Sequence, residues 1–172
     1  PGLISSYVEA NIKAVIKTTE ILLANPDDYD ARAEFAWAAT MALNGLTYVG
    51  TGGFSYPNHM IEHAMSAVTD CAHGAGLSVV MPAWMKWYKG RNLAQFERFA
   101  REIFSLNGAD EGIAALEAWF DRIGTPTRLS QLNIQGSVLN DVIAVARTNA
   151  KDWGMGEIYT KEAITEIFEL AK

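Results

Sequence analysis

The sequence predicts an all-α fold of seven to nine helices, and three observations predict it. Apolar residues recur every three or four positions through most of the chain, as they do on the buried face of a helix. No segment shows the strict alternation of apolar and polar residues that indicates a half-buried strand. Glycine, proline and asparagine separate the apolar stretches, where helices are expected to end. Together these features favour a multi-helix bundle.

The first half of the chain predicts three helices. One apolar stripe runs from residue 4 to 22, and residues 25–28 (Asn-Pro-Asp-Asp) predict a stop followed by a new helix, since acidic residues favour a first turn. A second stripe runs from residue 35 to 46. Residues 50–57 contain three glycines and a proline and are predicted to form a loop. A helix that carries two histidines follows over residues 58–69.

The second half begins with an almost wholly apolar helix that ends near Tyr88 and therefore belongs in the middle of the bundle. Pro82 should kink this helix or mark its real start. Asn92 and Gln95 resemble a capping pair for the next helix, and Thr160 is expected to cap the last one. The remaining apolar stripes lie at residues 93–104, 113–123, 138–146 and 164–168.

Composition limits the classes of function. The chain has 172 residues, of which 49% are hydrophobic and 20% charged, as expected for one globular domain. Its net charge of -6 makes nucleic acid and anionic membrane poor candidates for partners. The longest stretch without a charged residue, Cys71–Met85, is too short to span a bilayer. Cys71 is the single cysteine, which excludes an internal disulfide and favours a reducing compartment such as the cytoplasm.

All three histidines lie in one short stretch, at positions 59, 63 and 73. Neutral imidazole is a common ligand of zinc, iron and other transition metals. A helix places His59 and His63 on one face, one turn apart. His73 follows a short turn and can fold back toward the same space from the start of the next helix. This clustering favours a metal site.

Other interpretations use the same residues. The pattern His59-x-x-Glu62-His63 matches the inverted zinc peptidases, in which two histidines hold zinc and the glutamate activates water. Such an enzyme also needs a distant acidic ligand and leaves His73 without a role. Alternatively, Glu62 orients a histidine ring from behind, or is a solvated acid. The histidines of a non-catalytic helical module would point apart or bond to core groups.

Several motifs resemble the iron-containing, group III alcohol dehydrogenases, and most closely their butanol dehydrogenase-like branch. They are His59–Ala67, His73–Leu77, Met81–Lys86, Asn25–Arg32 and Met41–Gly45. The histidine core, H-x3-H-x9-H-G, is specific, and the resemblance extends over essentially the whole chain.

The resemblance implies a fold and a domain organisation. Residues 1–172 would be the C-terminal helical metal-binding domain, a multi-helix bundle of the dehydroquinate synthase-like α-domain type. In that family an N-terminal domain binds NAD(P)(H), and a D-x3-H element on the first helix supplies an aspartate and a histidine to the metal. Neither the nucleotide-binding domain nor that element is found in the sequence, so both are expected to be missing from this chain. The family also tends to form homodimers.

The resemblance also implies roles for the histidines. His59 and His73 match metal ligands of the family, which hold Fe²⁺ or Zn²⁺. His63 matches a histidine that lies toward the nicotinamide and the substrate, and we expect it to relay a proton. The implied reaction is hydride transfer between a primary alcohol or aldehyde and the nicotinamide. With two of four ligands, the chain alone is expected to bind metal poorly and to be inactive.

Overall fold

The computed structural model describes residues 2–53 and 55–172; Pro1 and Phe54, which lies in the predicted loop, are outside the described residues. The described part contains helices and no strand, which confirms the all-α prediction. Short 3-10 helices occur at Leu46–Tyr48, Lys89–Arg91 and Leu129–Leu132. The α-helices are α1 (Gly2–Ala24), α2 (Tyr29–Ala42), α3 (Pro57–Thr69), α4 (His73–Tyr88), α5 (Leu93–Phe104), α6 (Ala109–Arg122), α7 (Gly136–Asp152) and α8 (Lys161–Glu169).

The start of α2 follows from the sequence, whereas its end does not. Asp28 caps the helix, and its carboxylate accepts a hydrogen bond from the backbone N–H of Ala31 at 2.8 Å. The apolar stripe predicted that α2 would reach Leu46, which is wrong, because the helix ends at Ala42. Gly45 then adopts a φ of 96°, a left-handed conformation that glycine takes without strain. The chain therefore turns before Leu46.

Of the predictions for caps and boundaries, one of the two alternatives for Pro82 is excluded, the cap at Asn92 fails and the cap at Thr160 is confirmed. α4 runs without interruption through Pro82, so this proline does not mark the start of the helix. The side chain of Asn92 makes no capping bond at the start of α5; its backbone carbonyl accepts from the N–H of Gln95 at 3.0 Å instead. The hydroxyl of Thr160 does cap α8, accepting from the N–H of Ala163 at 3.3 Å.

The buried apolar side chains form two clusters that share α4. One cluster joins α3, α4, α7 and α8, and the other joins α4, α5 and α6. Trp84 of α4 packs against both clusters and donates a hydrogen bond to the hydroxyl of Tyr159 at 2.8 Å. The aromatic side chains at the end of α4, those of Trp84, Trp87 and Tyr88, therefore pack against the core, as their helical spacing indicates. None of the helices in the described part has the length and apolar character required to cross a bilayer.

Close packing of α5 on α6 depends on Gly112. A Cβ at this position would lie 2.5 Å from the Cβ and 2.7 Å from the Cα of Ala100. We expect Gly112→Ala to lower the free energy of unfolding by about 1–2 kcal/mol, since the overlap outweighs the gain in helix propensity. Urea denaturation measures the change. Gly74→Ala is the control, because its Cβ would meet nothing within 4 Å; an equal effect of the two substitutions would contradict this packing.

Candidate metal centre

The corner between α3 and α4 brings the three histidines together. α3 ends at Thr69, and the next residue, Asp70, adopts a φ of 54°, a left-handed conformation that aspartate tolerates better than most residues. Its backbone N–H closes the last turn of α3 on the carbonyl of Ser66 at 2.9 Å. α4 begins three residues later with His73. The reversal of the chain thus returns His73 to the face of α3 that carries His59 and His63.

The closest nitrogen pair of the site joins the two helices. Nδ1 of His59 lies 3.1 Å from Nε2 of His73, within the about 4 Å that two ligands of one ion require. The rings of His59 and His73 are 5.1 Å apart between centroids, whereas those of His59 and His63 are 6.3 Å apart. His59 is therefore nearer to the ring on the other helix than to the ring one turn along its own helix.

His63 completes a group of three nitrogen donors. One ring nitrogen from each histidine lies within 4.8 Å of the other two, and this is the cluster among the described residues that could hold a metal ion. No carboxylate belongs to the cluster. The donor set fits Fe²⁺ or Zn²⁺, both of which accept imidazole. A histidine-only set from this chain also leaves room for further ligands.

Electrostatics favours the metal-binding form of His59. Partial burial lowers the pKa of His59, and the adjacent His73 and His63 lower it further, while Glu62 acts in the opposite direction. A lowered pKa keeps the imidazole neutral, so that a ring nitrogen retains the lone pair that a metal binds.

Glu62 lies behind the site and not in front of it. Its side chain is fully buried, and its carboxylate accepts hydrogen bonds from Nδ1 of His73 and from the hydroxyl of Ser66. Nε2 of His73, on the other side of the ring, faces His59. In the peptidase scheme the glutamate would face the water on the open side of the metal. The structure therefore does not support the peptidase interpretation, and the solvated-acid interpretation is wrong.

A mostly apolar cavity of about 390 Å³ opens in front of the histidines. Its walls come from the ends of helices: Leu43 follows α2, Tyr56 precedes α3 and Trp153 follows α7. The indole of Trp153 stands perpendicular to the ring of His63, with centroids 5.3 Å apart. The amide of Asn149, one turn earlier in α7, donates to the carbonyl of Met60 at 3.2 Å and so ties α7 to α3.

Sequence reasoning missed the cavity walls. Trp153 is expected only as part of a loop, and Leu43 only as part of an apolar stripe. Both are large apolar side chains that remain exposed, at 44% and 75% respectively. A tryptophan in a polar stretch after a helix is the signal that could have indicated a binding surface. Cys71 is a free thiol that packs against the larger cluster, in agreement with its interpretation as a small apolar residue.

Comparison with known proteins decides the family. Residues 3–172 match the family described as Fe-containing alcohol dehydrogenase family, C-terminal. The chain belongs to this family. It is 30% identical over 169 residues to the probable NADH-dependent butanol dehydrogenase 1 of Bacillus subtilis, covering 94% of this chain and 43% of the relative. It is 31% identical over 137 residues to the NADPH-dependent aldehyde reductase YqhD of Escherichia coli, covering 76% of this chain and 35% of the relative.

The fold agrees with this family assignment. The crystal structure of the NADH-dependent butanol dehydrogenase A of Thermotoga maritima matches 99% of this chain with a TM-score of 0.92 and 37% sequence identity, over 46% of its own length. This chain thus spans less than half the length of these relatives. Family membership and the convergence of the three histidines argue against the peptidase interpretation of this chain.

Proposed function

We propose that this chain is the helical, metal-binding half of an NAD(P)H-dependent alcohol dehydrogenase or aldehyde reductase that acts on a primary alcohol or aldehyde. The observation that carries the proposal is the approach of His59 to His73 across the α3–α4 corner, at 3.1 Å between ring nitrogens. The resemblance of this pair to the family's histidine motif supports assigning His59 and His73 as two of the metal ligands. An N-terminal nucleotide-binding domain would supply the other ligands and the cofactor site.

In this proposal His59 and His73 hold the metal, and His63 lies beside it on the side of the cavity. When bound, the metal supplies a Lewis acid for the substrate oxygen, and the nicotinamide supplies or accepts the hydride. His63 exchanges a proton between the substrate oxygen and water through a ring nitrogen, the task of a general acid–base group. Tyr56 and Trp153 orient the neighbouring rings and keep water from the reacting carbon.

The cavity favours a small, largely apolar substrate. Leu43, Tyr56 and Trp153 line its walls and would contact the carbon chain of a substrate, and the histidines are the polar groups at its base. The cavity has room for a short-chain alcohol, and relatives named as butanol dehydrogenases and an aldehyde reductase fit this class. The free thiol of Cys71 supports a reducing compartment, consistent with the cytoplasm.

A chimera tests the function. Residues 2–172 would replace the matching C-terminal part of the Thermotoga butanol dehydrogenase, whose fold this chain reproduces over 99% of its length. We expect the purified chimera, supplied with Fe²⁺ or Zn²⁺, to oxidise NADH in the presence of butanal, followed by absorbance. The residues alone, without the nucleotide-binding part, should show no turnover. A folded chimera that binds NADH and metal but reduces no short primary aldehyde would overturn the proposal.

The role of His63 is tested in the same chimera. We expect His63→Ala to lower kcat for butanal reduction by about 10²- to 10⁴-fold, because proton transfer to the substrate oxygen loses its positioned relay. Metal content, measured by atomic emission, should stay near that of the unsubstituted chimera. Leu170→Ala, at an exposed position after α8 and outside the cavity, is the control and should retain most of the activity. A His63→Ala variant with unchanged kcat would exclude the relay.

A further inference from the structure

In the described part of the chain, Glu62 is a buried carboxylate that is not paired with a lysine or an arginine. It is 0% exposed, and among the described residues it forms no ion pair with lysine or arginine. Its two bonded neighbours are the imidazole of His73 and the hydroxyl of Ser66. Burying an acidic side chain is costly unless its oxygens are bonded, so a buried glutamate at this place needs a reason. We find the reason in its hydrogen bond with the imidazole ring of His73.

The bond to Glu62 selects one form of His73. A carboxylate accepts hydrogen bonds and does not donate them, so Nδ1 of His73 must carry the hydrogen. Nε2 then keeps its lone pair, and this atom is the one that faces His59. Carboxylates commonly hold ligand histidines in this way, fixing the ring and raising the basicity of the nitrogen that binds the metal.

The position of Glu62 depends on a glycine in the facing helix. A Cβ at Gly76 would lie 2.6 Å from both Cγ and Oε1 of Glu62, so no side chain fits between α4 and the carboxylate. Gly74, one residue after His73, has nothing within 4 Å of its Cβ position. The sequence suggests that both glycines permit a close approach; the structure assigns that role to Gly76 alone. α4 therefore supplies both the histidine and the space for the group that orients it.

We infer that Glu62 is a positioning residue for the proposed metal site: it locks His73 in the tautomer and orientation that present Nε2 to the ion, and Gly76 makes its placement possible. The inference rests on the proposed function, because it assigns Glu62 a role toward the metal. It extends that function by naming residues outside the group of three donors. Ser66 completes the arrangement by holding the second carboxylate oxygen.

The first test needs no substitution. Long-range ¹H–¹⁵N correlation spectra of the metal-free chain distinguish protonated from unprotonated ring nitrogens of each histidine. We expect His73 to show a protonated Nδ1 and an unprotonated Nε2, and Glu62→Gln to show a mixture of tautomers, because the amide can either accept from Nδ1 or donate to it. A wild-type His73 that carries its hydrogen on Nε2 would overturn the inference even if every variant failed to fold.

The second test measures affinity for Zn²⁺ by calorimetric titration of the metal-free chimera with the Thermotoga butanol dehydrogenase, in which the nucleotide-binding part would supply the other ligands. Glu62→Gln and Gly76→Ala should each weaken binding by about 10- to 100-fold, as expected when a supporting group of a ligand histidine is lost. The double variant should lose little more than either single one, because both act through the same carboxylate. Gly74→Ala is the matched control and should bind as the wild type does.

The outcomes separate this inference from the proposed function. If Glu62→Gln and Gly76→Ala bind Zn²⁺ as Gly74→Ala does, while His73→Ala does not bind, the positioning role is wrong and the metal site stands. If His73→Ala also binds normally, the metal site itself is wrong. Circular dichroism of each variant shows whether it has folded, so that a loss of affinity is assigned to the site only in a folded chain.

Discussion

Replacing His73 with alanine should weaken the binding of Zn²⁺ to the chimera with the Thermotoga butanol dehydrogenase by about 100-fold or more. The substitution removes a nitrogen donor itself, and this costs more than the about 10- to 100-fold typical of losing a group that merely supports a donor. His73 also forms the closest nitrogen pair of the cluster, 3.1 Å from His59. Calorimetric titration of the metal-free chimera measures the change, and His59→Ala should give a loss of similar size.

His63→Ala is the control that discriminates between the two possible ligand pairs. On helix geometry alone, His59 and His63 would be the pair, and His63→Ala would be as damaging as His73→Ala. The family resemblance instead implies that His59 and His73 are the pair; their ring centroids are 5.1 Å apart, against 5.4 Å for His63 and His73 and 6.3 Å for His59 and His63. We therefore expect His63→Ala to lower Zn²⁺ affinity only slightly. Equal losses in the two variants would make His63 a ligand and remove its role as a proton relay.

Phe168→Ala should lower the free energy of unfolding by about 3–5 kcal/mol, the largest stability effect we expect from one substitution. Phe168 is 0% exposed and lies in the cluster that joins α3, α4, α7 and α8. Removing its ring leaves a cavity among side chains that cannot close around it. Because a domain of this size is stable by only about 5–15 kcal/mol, the loss is a large share of the total. Urea denaturation followed by circular dichroism measures it.

Leu170, two residues away, provides the comparison. It is apolar but 41% exposed, and its truncation to alanine should change stability by less than about 1 kcal/mol. If Phe168→Ala were as mild as Leu170→Ala, the placement of α8 against α4 and α7 would be wrong. Since α4 carries His73, we also expect Phe168→Ala to weaken Zn²⁺ binding in proportion to the population that unfolds.

Local patterns were enough to predict the helices. The spacing of apolar residues and the caps at Asp28 and Thr160 are properties of short segments, and both caps form in the structure. Predictions failed where a neighbouring segment decided the result. α2 ends at Ala42, although its apolar stripe continues to Leu46, because the chain turns at Gly45. Asn92 makes no side-chain cap, although its type and spacing predict one.

For the metal site too, some features could be predicted from the sequence and others could not. Clustered histidines and the family motifs named the three residues, since their positions are visible in the chain. Which two are nearest to each other depends on the left-handed turn at Asp70, which the motif does not encode. The burial of Glu62 and the placement of Trp153 were equally invisible, because each requires contacts between residues far apart in sequence.

The sequence by itself determined the all-α class, most helix positions and the histidines that carry the chemistry, because these depend on residue type and on spacing within a helix. Only the tertiary structure decided that Glu62 is buried against Nδ1 of His73 and that the ends of α2 and α7 form walls of the cavity. Those arrangements depend on how helices pack, and packing is decided by side chains that meet from distant parts of the chain.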